Sequence, residues 1–339
     1  MVGGEAFITL QTLNLALFGY LYEDGWSMSK RIVVAIGGNS LIKDKAHKTV
    51  PDQYAATEET VPHIVDLVEQ GWDVAITHGN GPQVGFILRR SELARHELHE
   101  VPLDFCGADT QGAIGYMLQQ TLFAEFQRRK MQKQAVTVVT QVLVDRDDPA
   151  FAKPNKPIGS FMDQETADTR TAEGWHVVED AGRGWRRVVP SPIPRKVIEA
   201  RAVINLLEDG FVVITVGGGG IPVIEENGKL TGVAAVIDKD RASALLCKAI
   251  DAKRFIVSTS VDRVYLNFGK PDQTPIDKMT VSEAKRYLKE GHFAPGSMAP
   301  KIESVITFIE EGGELAIITS PENLARALKG EAGTHITPD

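Results

Sequence analysis

Apolar residues gather in short runs along the chain, and each run ends in glycine or small polar residues. The runs are continuous and rich in β-branched residues, where alternation with polar positions would indicate a half-exposed strand. Such runs predict strands buried on both faces, which is typical of a parallel sheet. The predicted strands are Arg31–Ile36, Val74–Thr77, Phe211–Val216, Phe255–Ser258 and Leu315–Ile318.

Helical spacing of apolar residues fills the segments between these runs. In Thr57–Glu69 the valines and the isoleucine recur every three or four positions, and the pattern stops before Gly71, a typical C-terminal cap. The alternation of strands and helices predicts an α/β fold, with a mainly parallel sheet and helices on both faces. The further predicted helices are Thr110–Lys130, Arg195–Leu207, Ala242–Ala249, Val281–Leu288 and Ile302–Glu310.

Residues 145–192 break this alternation and are called the excursion below. The segment is rich in proline, carries Trp175 and Trp185, and has few periodic apolar positions. A long segment without core elements is uncommon inside a compact domain, so we expect a small protruding β-rich subdomain.

At the N-terminus, residues 7–22 are apolar, but the stretch is too short and too interrupted for a membrane span. We expect residues 1–27 to be a leader outside the core.

Composition narrows the classes of partner. The 339 residues include 37 Lys and Arg against 45 Asp and Glu, a net charge of −8. This balance argues against nucleic acid as the main partner, although one cleft can still be cationic. The two cysteines, Cys106 and Cys247, form no CxxC pair, which excludes a disulfide framework and fits a reducing cytoplasm. We expect neither a membrane nor a nucleic acid as partner.

Glycine-rich loops follow several of the predicted strands. Ligands of open α/β sheets bind beyond the carboxyl ends of the strands, and glycine allows the backbone N–H groups there to cradle an anion. The GxxxxGK[ST] motif is absent, and GxGxxG is matched only in part, so neither common nucleotide fingerprint applies. The loops are Gly37–Asn39, His78–Gly81, Val216–Gly220 and Ala294–Lys301.

Three lysines accompany these loops. Lys239 and Lys301 stand at the beginning of predicted helices, and Lys156 lies in the excursion. Phosphoryl transfer needs positioned positive charge around the moving phosphate and little covalent help from the protein, which this arrangement would supply. His78, at a strand end beside glycines, could either contact a ligand or hold a turn.

Several of these segments together resemble carbamate kinases, within the amino-acid kinase superfamily. The resemblance covers about residues 31–338, and HGNGPQVG, RRVVPSP and APGSMxPK are its most specific parts. The matching segments are VVAIGGNSL (33–41), THGNGPQVG (77–85), KPIGSF (156–161), RRVVPSP (186–192), TVGGGGIPV (215–223) and APGSMAPK (294–301).

The resemblance implies a three-layer αβα sandwich that forms a homodimer. It also implies the reversible reaction ATP + carbamate ⇌ ADP + carbamoyl phosphate, with Mg²⁺ and a place in arginine metabolism. An N-terminal lobe, 28–215, would hold carbamate or carbamoyl phosphate, and a C-terminal lobe, 216–339, would hold ATP or ADP. Carbamoyl phosphate is a reactive mixed anhydride, so we expect the reaction to run toward ATP.

The same resemblance assigns catalytic roles to residues of both lobes. Backbone N–H groups and an amide would bind the transferring phosphoryl group, lysines would neutralise its charge, and Asp238 would hold the lysines in place. The catalytic set is Gly37, Gly38, Asn39, Asp238, Lys239 and Lys301.

Further residues would bind the two substrates. Lys156 would act as a cationic clamp on the carbamate side, and Mg²⁺ would arrive with the nucleotide without a ligand from the protein. The substrate-binding set is Gly79, Asn80, Gly81, Lys156 and Arg187, and the nucleotide-binding set is Gly217, Gly218, Gly219, Val264 and Tyr265.

Three positions depart from the family pattern, and three alternative functions stay open. Ser260 stands where an aspartate is common, Ala299 replaces the usual glycine before Pro300, and Ser40 replaces a frequent alanine. A related kinase acting on acetylglutamate or glutamate would use a similar site. An NAD-dependent oxidoreductase and a non-catalytic ligand sensor are more distant alternatives.

Overall fold

The central strand of the largest sheet contributes side chains to two separate cores. Val33 and Ala35 pack into one core, and Ile32, Val34 and Ile36 pack into the other. Because both faces of the strand are apolar, it lies between two layers of helices. The computed structural model describes residues 30–38, 41–42, 46–179 and 184–339. The predicted leader and Asn39 lie outside the described residues.

The described residues form seventeen strands and ten α-helices. The strands are β1 Arg31–Ile36, β2 Asp73–His78, β3 Ala135–Thr137, β4 Gln141–Val144, β5 Lys156–Met162, β6 Val177–Glu179, β7 Trp185–Val189, β8 Pro194–Val197, β9 Val212–Ile214, β10 Ile221–Glu226, β11 Lys229–Gly232, β12 Arg254–Ser258, β13 Val264–Leu266, β14 Thr274–Ile276, β15 Lys278–Thr280, β16 Leu315–Thr319 and β17 Thr334–Thr337. The helices are α1 Val50–Glu69, α2 Gly81–Ala94, α3 Leu103–Arg128, α4 Pro149–Ala152, α5 Gln164–Ala172, α6 Ala200–Glu208, α7 Lys239–Ala249, α8 Val281–Lys289, α9 Met298–Glu310 and α10 Leu324–Leu328.

The largest sheet has eight strands in the order β15-β17-β16-β12-β1-β2-β9-β3. Every neighbouring pair is parallel except β16 and β17, so the sheet is mainly parallel, as the buried apolar runs predict. The chain leaves β1 toward β2 on one side and later places β12 on the other side. This reversal makes the carboxyl end of β1 a topological switch point, where open α/β sheets bind ligands.

Helices cover both faces of this sheet. Apolar residues of α1, α3 and α10 share a core with Ile32 and Ile76, whereas those of α6, α7, α8 and α9 share a core with Val33 and Phe255. The three-layer αβα arrangement is therefore confirmed. Among the described residues, no helix is both long enough and apolar enough to cross a bilayer.

Several predicted boundaries are wrong by a few residues. The helix predicted from Thr57 begins at Val50, because Thr49 forms a capping box with Asp52. The strand predicted to reach Val216 ends at Ile214, since Val216 adopts a left-handed conformation with φ 51°. The helix predicted from Arg195 begins only at Ala200, after strand β8.

The excursion forms a small unit of its own, outside the large sheet. Strands β5, β7 and β6 make a three-stranded antiparallel sheet, which agrees with a β-rich subdomain. The unit packs on α2 where Gly85 faces Gly159, and a Cβ atom on Gly85 would lie 3.4 Å from the Gly159 Cα. The division into lobes at residue 215 stays a prediction.

Candidate active site

Two glycine loops meet at the carboxyl ends of β1 and β2. A Cβ atom on Gly79 would lie 3.6 Å from the Gly38 backbone nitrogen and 4.0 Å from the Lys239 Cδ atom. Gly37 has less room, because its Cβ would lie 3.0 Å from the Ser258 carbonyl oxygen. The Gly38 and Gly79 loops therefore lie within van der Waals distance of each other, with Lys239 beside them.

Helices α7 and α9 each bring one lysine to the same buried carboxylate. Lys239 Nζ donates to Asp240 Oδ1 at 2.6 Å, and Lys301 Nζ, from α9, donates to Asp240 Oδ2 at 2.9 Å. Asp240 is only 4% exposed. One acid thus fixes both ammonium groups beside the glycine loops, where they can face a phosphate.

Asp238, which was expected to hold Lys239 and Lys301, forms its ion pair with Lys156 instead. Asp238 caps α7 by accepting from the backbone N–H groups of Asp240 and Arg241, and its other oxygen accepts from Lys156 Nζ at 2.8 Å. Its carboxylate is therefore already engaged by the cap, and Asp240, one helical position away from Lys239, holds the other two lysines. Lys156 links the excursion to α7 through this ion pair.

The charges of this cluster shift one another's pKa values. Burial alone would raise the pKa of the Asp240 carboxyl, but Lys239 and Lys301 more than offset this and hold it well below its ordinary value. Burial lowers the pKa of Lys239, and Asp240 opposes that shift while Lys301 adds to it. The negative charge of Asp240 therefore opposes the effect of burial on Lys239 and favours its protonated form.

The loop Gly217–Gly219 packs against the amide that begins α2. A Cβ atom on Gly218, whose φ is +67°, would lie 2.0 Å from Asn80 Nδ2. Asn80 Nδ2 in turn donates to Thr110 Oγ1 at 2.8 Å. From α3, Gln111 Nε2 donates to the Gly217 carbonyl at 3.0 Å. These contacts fix Asn80 and the glycine loop relative to each other.

His78 acts as a buried turn element. A hydrogen bond of 3.0 Å joins its Nδ1 atom to the Gly79 carbonyl, and the side chain is fully buried. Burial is the main cause that lowers the pKa of His78 to about 4, and the charge of Lys239 contributes. The imidazole is therefore neutral at physiological pH and supports the loop that carries Gly79.

Three predicted site residues form their polar contacts with residues outside the lysine cluster. The Arg187 guanidinium stacks on Trp175, 4.3 Å from the ring centre. The Val264 N–H donates to Thr334 Oγ1, and the Tyr265 hydroxyl donates to Asp262. A role for Val264 and Tyr265 at the nucleotide stays a prediction.

A cavity of about 300 Å³ opens beside the first glycine loop. Gly37 and Gly38 line it together with Thr259, Ser260 and Ser320, from the loops after β12 and β16. The departure at Ser260 thus falls on the wall of a cavity at the carboxyl edge of the sheet. Among the described residues, no group of three or more His, Cys, Asp or Glu side chains could hold a metal ion.

Asp240 is the main residue that sequence reasoning missed. The segment Ile237–Asp240 contains two aspartates on either side of one lysine, and apolar spacing does not tell which of them caps the helix. Because the carboxylate of a helix N-cap is occupied by backbone N–H groups, the second aspartate was the better candidate to bind the lysines.

The sequence of this chain is similar to those of known carbamate kinases. The sequence model of the amino acid kinase family matches residues 30–320. The carbamate kinase of Thermococcus kodakarensis is 48% identical over 311 residues, which span 91% of this chain and 99% of that protein. The carbamate kinase-like protein YahI of Escherichia coli is 49% identical over 314 residues, with 91% and 99% covered.

The fold of this chain is also similar to that of a solved carbamate kinase structure. Carbamate kinase from Giardia lamblia bound to AMP-PNP superimposes with a TM-score of 0.87 at 39% identity, covering 92% of this chain and 99% of that one. By contrast, the N-acetylglutamate synthase of Neisseria gonorrhoeae, at 15% identity and a TM-score of 0.55, shows a likeness of fold alone.

Proposed function

This chain belongs to the amino acid kinase family, and we propose how its residues carry out the reaction of a carbamate kinase. The chain is a phosphotransferase that interconverts ATP and carbamate with ADP and carbamoyl phosphate. The observation that carries the mechanism is the pair of lysines, Lys239 and Lys301, held by Asp240 beside Gly38 and Gly79. The acetylglutamate-type and NAD-dependent alternatives are not favoured.

The chemistry of the acceptor explains why cations dominate the site. Carbamate attacks through an oxygen that is already anionic, so the reaction needs no general base. The nearest imidazole, His78, is buried and bonded to the Gly79 carbonyl, which fits a supporting role. Catalysis then consists of bringing two anions together and stabilising the charge on the moving phosphoryl group.

We assign each side chain of the site one role. The backbone N–H groups of Gly37 and Gly38, with the amide of Asn39, bind the transferring phosphoryl group, and Lys239 and Lys301 neutralise its oxygens. Gly79, Asn80 and Gly81 shape the carbamate pocket.

Lys156 closes that pocket from the excursion, where its bond to Asp238 now positions it. Its side chain is 36% exposed to solvent, so it can exchange Asp238 for a substrate anion.

Mg²⁺ enters this scheme only as a companion of the nucleotide. In the described residues, the two aspartates near the lysines are engaged by those lysines and by the helix cap. The donor set therefore does not fit a resident metal, and we assign no step to one. The nucleotide would lie on the side of Gly217–Gly219, Val264 and Tyr265.

Two further properties complete the proposal. Phe105, Tyr116 and Phe123 are all about 60% exposed and recur at 11 and 7 positions along α3, so they share one face of the helix. A second copy of the chain would bury this face in a homodimer, because an apolar stripe pairs with itself across a two-fold axis.

Cys106 and Cys247 are free thiols, which supports a cytoplasmic location.

The deciding experiment measures ATP formed from ADP, Mg²⁺ and carbamoyl phosphate, with acetyl phosphate as the control donor. We expect ATP from carbamoyl phosphate and little from acetyl phosphate. Lys239→Met should abolish this activity, whereas Lys248→Met should retain it, because Lys248 lies on the same helix with a 57% exposed side chain. A folded sample that forms no ATP, or one that prefers a larger acyl phosphate, would contradict the assignment.

A further inference from the structure

A second cavity lies between α2 and the excursion. Its volume is about 270 Å³, and its wall includes Leu88 and Glu92 of α2 together with Ile158, Trp175 and Arg187 of the excursion. Among the described residues that line it, none belongs to the glycine loops or to the lysine cluster. The cavity is therefore a separate compartment, of a size that suits a small molecule rather than a nucleotide.

Arg187 is the unusual residue of this cavity. Across the described parts of the chain, no carboxylate oxygen lies within 4.0 Å of its guanidinium, which stacks on the face of Trp175. Burial is also the main cause that lowers the pKa of this guanidinium. By contrast, Arg170 bonds to Glu173 at 2.6 Å and Arg89 to Glu92 at 3.2 Å. A half-buried guanidinium without an acid partner leaves its planar set of donors available to a ligand.

The remaining wall defines the chemistry of that ligand. Three arginines and two acids, Glu92 and Asp163, line the cavity. Arg89 pairs with Glu92 and Arg170 pairs with Glu173, so Arg187 is the arginine of this wall without an acid within 4.0 Å among the described residues. The other wall residues are largely apolar, among them Leu88, Phe161 and Met162. One guanidinium without a paired acid, beside apolar side chains, suits a monoanion with an apolar body.

We propose that this cavity binds a small monocarboxylate, with its carboxylate on Arg187 and its apolar body against the wall of Trp175 and Leu88. A carboxylate matches the fork of a guanidinium through two parallel hydrogen bonds, which inorganic phosphate with its higher charge would not balance here. The site is distinct from the proposed catalytic centre and does not depend on it.

Occupancy of the cavity would act on the catalytic clamp. Arg187 lies opposite Ile158 in the pairing of β5 with β7, and Lys156 pairs two positions further along the same strands. A ligand that joins Arg187 to the wall on α2 therefore stiffens the strand that carries Lys156. We expect the carboxylate to change the KM for carbamoyl phosphate and to leave the KM for ADP unchanged.

Tryptophan fluorescence tests binding directly. The full chain is titrated with butyrate at constant ionic strength, with butyramide as the uncharged analogue and inorganic phosphate as the alternative anion. We expect a saturable change with butyrate alone, and Trp175→Phe should remove the signal. Equal responses to butyrate and butyramide, or a response to phosphate in place of butyrate, would overturn the assignment of the ligand.

Variants separate this site from the catalytic one. Arg187→Met keeps an unbranched, flexible side chain and removes the guanidinium, and it should weaken butyrate binding about tenfold or more. Arg187→Lys keeps the charge without the fork and should lie in between, while Arg90→Met, on the exposed face of α2, should bind like the original chain. Unchanged binding in Arg187→Met, or loss of binding in Lys239→Met, would refute the proposal.

Discussion

Replacement of Asp240 by asparagine tests the central element of the site. The change keeps the shape of the side chain and removes the one negative charge that both Lys239 and Lys301 contact. The two side chains are 12% and 17% exposed, so little water is available to take over from the carboxylate. Two neighbouring ammonium groups would then lie in a poorly solvated site without their counterion.

The expected magnitude follows from this burial. Breaking a buried ion pair by removing one partner costs about 3–5 kcal/mol, and the partial exposure of the lysines places this case near about 3 kcal/mol of unfolding free energy. Loss of one preorganised charge contact in the transition state lowers kcat by about 10²–10³-fold. We therefore expect a folded, less stable protein with kcat reduced at least about 10²-fold.

The pH profile gives the more specific signature. Burial already lowers the pKa of Lys239, and loss of the Asp240 charge lowers it further. Because catalysis needs the protonated lysine, the variant should lose activity at a lower pH than the original chain when the pH is raised. The measurement is kcat for ATP formation across the alkaline range, together with urea unfolding at pH 7.

Glu303→Gln is the matched control. Glu303 also joins α9 to α7, through Arg241 at 3.0 Å, but both side chains are more than 40% exposed. Such a surface pair contributes about 0–1 kcal/mol, so kcat and the pH profile should not change. If Asp240→Asn kept kcat within about threefold and the same alkaline limb, Asp240 would be a structural residue and the reasoning would fail.

Three further changes probe the supporting elements. Lys156→Met should raise the KM for carbamoyl phosphate about tenfold or more and leave the KM for ADP unchanged, and steady-state kinetics in which only the KM for ADP moved would remove the clamp role. Gly218→Ala places a methyl group on Asn80, so it should lower both kcat and the melting temperature, whereas Gly228→Ala, with a similar φ of +75° in open space, should cost only the backbone strain. Equal effects of the two alanines would contradict the packing argument. The pKa of His78 in the folded chain, about 4, lies below its unfolded value of about 6.5, so the unfolded state binds more protons between these values and stability falls as the pH drops through them. His78→Gln should therefore lose about 2 kcal/mol less unfolding free energy than the original chain between pH 7 and pH 4.5 in urea titrations, and identical losses would mean that His78 does not contribute.

The sheet could be predicted from the sequence because its signal is local and repeated. Each buried strand is a short β-branched run, and the side chains of β1 alternate between two cores as a two-sided apolar strand requires. Helix starts were harder to predict. The first turns of α1 and α7 contain charged residues, and the caps Thr49 and Asp238 define them, which apolar spacing does not detect.

The site could be predicted only as a set of loops. Gly38, Gly79 and Lys239 meet because parallel strands end at one edge of the sheet, and that rule can be applied to the sequence. The partners within the cluster depend on angles around the first turn of α7, which spacing alone does not give. Asp238 was therefore expected where Asp240 lies, and the stacking of Arg187 on Trp175 depends on register in the excursion.

The position of β1 has a consequence for synthesis on the ribosome. Arg31 pairs with Asp73 in β2 soon after both are made, but the opposite edge of β1 pairs with β12, beginning with Ile32 opposite Arg254. That partner emerges about 220 residues later. Until then the growing chain carries an open, apolar strand edge, which is a template for aggregation. In a fragment that stops at residue 215, this edge of β1 would stay unpaired. The two halves of the chain therefore cannot fold as independent units.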